Sequence, residues 1–343
     1  MKPIIIEEKE DQKNNKKYIT IKNNSSVSCM LELNSISYFE NEQKINLNLV
    51  AIGFSSAKIY LINLSTMEIY QIIKDSNSIY SLCQFNNNSK YLICSLSNGF
   101  ISIYIFKDKY YEIIQKMQKP LEIKKGSINK VITLSNGDLA SADTGSITIW
   151  KQKIVNNNKI DEFELYKEII TDSDTCQLIE VNPNVFACAI YKDKLIRIFK
   201  NCNDYPLLGI LRNVESHGKN SNGMAKINDR LFCLGGKNYF VYVVCVEPVQ
   251  IIQKIKLINE ISLCIISCLN ISNKGFLFAS YGDNIIQFKI KKDARNNFIE
   301  LEVFDKKNNY YSQSEAFITT NDGKLFYQIN DNKMNFCLEQ FKE

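Results

Sequence analysis

Leu139-Ala140-Ser141-Ala142-Asp143-Thr144-Gly145-Ser146-Ile147-Thr148-Ile149-Trp150 decides how the rest of this chain is read. Small and apolar residues fill 139–142, and Asp143-Thr144-Gly145 supplies a tight turn. Residues 146–149 then alternate polar with β-branched apolar side chains up to the Trp. Alternation at period two marks a half-buried strand, and Asp and Gly tolerate the backbone angles that a tight turn needs. The stretch is therefore a β-hairpin. Related hairpins run from Tyr91 to Tyr104, Val185 to Phe199, Leu231 to Val244 and Phe276 to Phe288, with an earlier one from Leu49 to Ile62. Short Asn/Asp/Gly turns at 86–89, 135–138, 182–184, 228–229, 273–275 and 321–323 each lead straight into an apolar strand. Successive turns lie about 45–50 residues apart, close to the length of one four-stranded propeller blade.

The stretch at 139–150 resembles the second and third strands of a WD40 repeat, where an Asp in the tight turn and a Trp closing the third strand are hallmark positions. Asp143 and Trp150 stand there, and Asn98 and Asp193 stand at the turn position of their own repeats. Tyr104, Phe199, Val243 and Phe288 lie near the Trp position elsewhere, and Lys151 replaces the Asp that follows the Trp. The single histidine, His217, is preceded by Ser216 where the family has Gly. Periodicity carries the resemblance over 16–343, and motifs carry it around 91–104, 139–150 and 185–199. It implies an all-β chain, with a tail at 1–15 and a single seven-bladed β-propeller of four-stranded antiparallel blades at 16–343. The expected blades fall at 26–74, 78–116, 127–170, 175–212, 222–257 and 261–304. The last has three strands of its own, at 316–320, 324–330 and 334–341. Its fourth is expected from 17–22, as WD40 propellers close with an N-terminal strand, because an unpaired edge exposes a row of backbone donors and acceptors.

Composition narrows the function classes. With 45% hydrophobic and 11% aromatic residues, a large core is available and wholesale disorder is excluded. The net charge of +5, from 42 basic and 37 acidic residues spread along the chain, is weak ground for nucleic acid as the main partner. No run approaches the roughly 18 apolar residues of a membrane span, and the apolar run at 4–6 is too short for a signal-peptide core. A cytoplasmic location, with nuclear or cytoskeletal association open, is the expectation. A catalytic triad or histidine-based metal site needs more than His217, so no catalytic, cofactor-binding or metal-binding residue is expected. Cys264 and Cys268 are spaced CxxxC with no second pair nearby. Cys29, Cys83, Cys176 and Cys264 fall on expected first strands, and Cys94, Cys188 and Cys233 on second strands, where free Cys acts as a small hydrophobe.

These features describe a stiff scaffold with loop-rich faces, and the expected function is a non-enzymatic protein–protein interaction scaffold within a larger cytosolic or cytoskeletal assembly. The alternatives are a propeller enzyme or small-ligand binder using the central channel, and a subunit touching RNA weakly through basic loops. The longest insertions, at 34–48, 151–162 and 291–297, fall in first-to-second or third-to-fourth strand connections and so share one face of the disc. Two are basic, through Lys151, Lys153 and Lys159 and through Lys291, Lys292 and Arg295. These six residues are the candidate docking surface for a protein partner with an acidic surface. Thiol titration of denatured, unreduced protein is expected to count close to all eleven cysteines. One stable disulfide would overturn the compartment argument.

Overall fold

The computed structural model describes residues 9–340 apart from 12–15, 22–24, 86–89, 120–125, 156–158, 191–192, 215–222, 237–239, 257–265, 273–274, 282–283, 294–297, 308–316 and 331–333. His217 and Arg295 therefore lie outside the described residues. Every described element is a β-strand, and all pairing is antiparallel between chain neighbours except in the last sheet. No helix among the described residues is long and apolar enough to cross a membrane.

Blade one is Val27–Glu40, Gln43–Phe54, Lys58–Asn63 and Glu68–Lys74, and blade two is Ile79–Gln84, Tyr91–Leu96, Phe100–Lys107 and Tyr110–Gln118. Blade three begins with Lys130–Thr133, Leu139–Ala142 and Thr144–Val155. Its outer strand, Lys159–Asn182, runs on to become the inner strand of blade four, which continues with Val185–Ile190, Leu195–Lys200 and Leu207–Leu211. Blade five is Met224–Asn228, Leu231–Gly235, Phe240–Val246 and Val249–Lys256. Blade six is Ile266–Ile271, Phe276–Tyr281, Asn284–Lys292 and Phe298–Lys307. Blade seven is Phe317–Thr319, Lys324–Asn330 and Met334–Gln340, and Lys16–Ile21 pairs outside Met334–Gln340, with Lys9–Asp11 added beyond it. Sequence placed a break at 171–174, but the chain turns that corner in extended conformation. There the Thr171 hydroxyl donates to the Ser173 carbonyl at 2.9 Å.

The innermost strand of each blade touches that of the next, and Phe317–Thr319 touches Val27–Glu40, so the seven sheets form a closed ring. Each sheet is sandwiched, which is why second strands such as Tyr91–Leu96 and Val185–Ile190 are buried at every position. The apolar residues gather into seven clusters, one per junction. Phe85, Ile93, Val131 and Trp150 fill the junction of blades two and three, and Ile19, Val27, Tyr60 and Phe336 that of seven and one.

A repeated irregularity shapes the rim. In blades one to six the outer strand carries one extra residue against its partner, at Tyr70, Ile114, Tyr166, Leu208, Ile252 and Phe304. Such a bulge re-aims the residue that follows it. In three blades that residue is a glutamine whose amide clasps the next blade's outer strand. Gln71 bonds both N–H and C=O of Tyr111 at 2.9 Å, and Gln115 both groups of Phe163 at 3.0 Å. Gln253 does the same to Leu301, at 3.0 and 3.4 Å. Lys167 holds the equivalent place in blade three and donates to the Asp204 carbonyl at 2.6 Å. Gly209 holds it in blade four, where a Cβ would lie 3.0 Å from both Val249 methyls, so a larger residue would require Val249 of the next blade to give by a few tenths of an ångström. Lys16–Ile21 pairs with Met334–Gln340 without a bulge.

The clasp satisfies edge-strand backbone groups at half-buried positions, so its loss leaves a donor and an acceptor unpaired. Gln115→Leu is expected to lower stability by about 1–3 kcal/mol in denaturant titration with unchanged slope. An unchanged midpoint would show the clasp to be energetically idle.

Candidate functional site

Two buried charge clusters sit in the links between blades. Asp143, 2% exposed, accepts from the backbone N–H of Ser146 at 3.1 Å, across a turn that Gly145 enters at φ +96°. Its other oxygen is ion-paired with Lys119, itself only 6% exposed at the side chain. Lys119 also bonds Ser146 Oγ at 2.6 Å and Glu168 Oε1 at 2.7 Å. Burial pushes the Glu168 carboxyl up, but Lys119 and Ser146 outweigh it and hold the group below the usual carboxylate range. Trp150, also buried, donates its indole N–H to Ser141 Oγ at 2.9 Å. Asp143 and Trp150 thus tie one hairpin to the preceding blade and to itself.

The other turn positions behave differently. Asp193 is exposed, with no such cluster around it among the described residues. Asn98 is half-buried, and its side-chain oxygen has no hydrogen-bond partner among the described residues. Blade two instead anchors through Asp75, a residue the sequence reading missed. Its side chain is wholly buried and accepts from Tyr104, the residue at the Trp position, from Lys116 at 2.9 Å and from the N–H of Ser76 at 2.6 Å. The usable signal was an Asp between two strands with a Tyr in place of Trp. Phe199, at the same position in blade four, stacks on Phe186 with ring centroids 5.2 Å apart.

The candidate docking residues lie on hairpins rather than loops. Residues 34–48 extend the first two strands of blade one to a turn at Asn41-Glu42, where both residues take positive φ. Lys151, Lys153 and Lys159 belong to the extended third and fourth strands of blade three, and Lys291 and Lys292 end a strand of blade six. Two of the six are ion-paired with glutamates across the hairpin. Lys153 pairs with Glu164 at 3.4 Å, and Lys291 with Glu300 and Glu302 at 3.0 and 3.1 Å. Lys151 lies 3.7 Å from the Tyr166 ring centroid. Lys292 is exposed, and the side chain of Lys159 lies outside the described residues. Among the described side chains, cross-strand glutamates thus compensate Lys153 and Lys291.

An aromatic surface stands out on the same face instead. The hairpin at 34–48 leans on blade two, where Lys109 pairs with Glu40 and sits 5.2 Å from the Tyr38 ring centroid. Tyr70 donates to the Lys109 carbonyl at 2.6 Å, and its ring meets Tyr110 at 6.4 Å. Held in this frame, Phe39 is 73% exposed and Tyr110 56%.

No family model matches the chain, and no curated protein sequence matches it. Solved structures do. The structure of U3-55K superposes with a TM-score of 0.73 at 10% identity, covering 97% of this chain and 100% of that one. The fold is a WD40-type propeller. The WD40 repeats of RRP9 give a TM-score of 0.73 at 9% identity, covering 98% and 100%. A chain of the mitotic checkpoint complex gives 0.67 at 13% identity, covering 94% and 96%. In WD40 terms, the turn Asp and the closing Trp survive together only around 139–150.

Asp75 makes the acid limb of stability testable. Burial alone would raise its carboxyl, but the Tyr104 hydroxyl, the Lys116 ammonium and the Ser76 amide hold it at about 2, below the ordinary 3.8. A depressed folded pKa contributes stability that is present above about pH 4 and lost as pH falls from there through 2. The contribution is on the order of 2 kcal/mol at neutral pH. Asp75→Asn is expected to flatten this part of the stability–pH curve, read by chemical denaturation between pH 5 and 2. A curve parallel to wild type would sink the assignment.

Proposed function

We propose that the chain is a non-enzymatic scaffold, a subunit of a larger cytosolic or cytoskeletal assembly that holds a protein partner on the face bearing the hairpin at 34–48. The observation that supports it is Phe39. A rigid aromatic side chain 73% exposed on a braced hairpin is the kind of anchor that carries binding energy at protein interfaces. Tyr110 beside it adds a second aromatic with a polar tip. One structure with this fold is a chain of an assembly, the mitotic checkpoint complex.

The test is quantitative purification of tagged wild type and of Phe39→Ala/Tyr110→Ala from the native cell. A stoichiometric partner is expected with wild type, reduced about tenfold or more in the double variant, which corresponds to a hot-spot loss above ~1.4 kcal/mol. The double variant and wild type should melt together. Undiminished recovery of every partner would place docking elsewhere.

A further inference from the structure

The outer strands of blades one to six carry a bulge, whereas Lys16–Ile21 of blade seven runs in unbroken register along Met334–Gln340. A bulge twists an edge away from a further strand, and a flat edge presents its free N–H and C=O groups in line. This flat edge is also held fast. Ile19 and Ile21 are buried at the junction of blades seven and one, and the Lys16 ammonium pairs at 2.8 Å with the buried Glu339. A further strand is laid on it. Lys9–Asp11 pairs antiparallel with residues 16–18, in the register Asp11 to Lys16, Glu10 to Lys17 and Lys9 to Tyr18. Two acidic positions of the added strand thus fall opposite two lysine positions of the edge, an order that favours pairing. Among the described residues this pairing takes three of the six residues of the edge, and Lys16–Ile21 is the added strand's sole neighbour in the sheet.

We infer that this edge is a strand-addition site, where an extended acidic segment of a protein partner pairs along Lys16–Ile21 and displaces Lys9–Asp11, the site's resident competitor. A row of backbone donors and acceptors at strand spacing selects a polypeptide. Main-chain bonds supply the affinity in such additions, and alternate side chains supply the choice of sequence. Three residues paired along one side hold a strand weakly, since even a complete two-stranded hairpin is marginal in water. Opening of that kind lies at the low end of the local stabilities within a protein. The strand beneath stays in place, because Ile19 and Ile21 belong to the core. A partner segment paired with the whole edge gains backbone bonds that the resident pairing at residues 16–18 does not make. Lys16 already meets Glu339, so the position opposite the exposed Lys17 is where an acid discriminates. The site lies on the rim of blade seven and goes beyond the docking proposed at Phe39.

The probe is a fluorescein-labelled peptide with the sequence of residues 6–11, long enough to span the edge, followed by fluorescence anisotropy on the full chain. In wild type the tethered strand competes at an effective concentration near millimolar, so weak binding is expected. Glu10→Lys/Asp11→Lys sets lysine against lysine and is expected to tighten peptide binding about tenfold or more, with an unchanged melting temperature. Deletion of residues 1–11, which leaves Lys16–Ile21 in place, should give the same gain. Adding Lys17→Glu to the double variant should weaken the peptide about fivefold. Backbone N–H groups alternate in direction along a strand, so two peptides N-methylated at alternate residues should divide. One should lose binding and the other keep it. No gain in either tail variant or equal behaviour of the two methylated peptides would overturn the inference. So would dimerisation of the tail variants in place of peptide uptake, which would give the edge to a second copy. Phe39→Ala/Tyr110→Ala should leave this titration unchanged, so its failure and failure of the partner purification are separate results.

Discussion

Each blade has two apolar faces and no solvent side, and the rest of the molecule is built around covering both. A single antiparallel sheet with one buried face stands in water on the other. Here the seven junction clusters leave no sheet a free face, so each blade contributes to two cores at once. The demand cannot be met by six blades and a gap. It is met because the inner strand of blade seven packs on that of blade one, where Glu32 accepts the N–H of Asn321 at 2.8 and 3.0 Å and Asn321 bonds Asn34 at 2.7 Å. Similar bonds link other inner strands, as Gln84 does with the backbone of Asn34.

Hydrophobic burial holds the blades together without direction, and the polar contacts supply the registration. Around the channel these are side chains on neighbouring inner-strand backbones. At the rim they are the residues after the bulges. In the links they are the Asp75 and Lys119 clusters, where buried charge is tolerated because each carboxylate meets a cation and hydroxyls. Three tiers of polar contact at three radii fix the pitch of a blade better than any one could.

Much of the fold was legible because the second and third strands are short apolar or alternating runs cut by Asn, Asp and Gly, and the antiparallel blades repeat at the spacing those turns set. The bulges were not legible. Tyr70, Ile114 and Ile252 look like any other apolar strand residue, and a bulge changes only the parity of the residues after it. For the same reason, nothing in the sequence around Gln71, Gln115 and Gln253 marks the clasp. The hairpin at 34–48 did carry a signal, since Ile36 and Tyr38 alternate into a polar turn and Ile45 and Leu47 alternate out of it. Reading it as a loop gave too much weight to its asparagines. The ion pairs within the basic stretches were hidden for a more general cause. Lys291 and its glutamates are close only through strand register, and charge counted along the chain cannot see Glu300 and Glu302 opposite it.

The outer strand of blade seven has a consequence in time. Lys16–Ile21 is translated before the rest of the propeller, yet its partner Met334–Gln340 is made only after the other blades. Through that interval the segment is an apolar strand with nothing to pair, and blade one lacks the junction cluster that Ile19 and Ile21 complete. Domains ordinarily fold from the N-terminus as they emerge, but this architecture postpones the propeller's final cooperative gain until its seventh blade has been made. Bringing the two together costs only a logarithmic loop-closure term, so the delay is one of exposure rather than of entropy. Until then blade one waits with an apolar face uncovered.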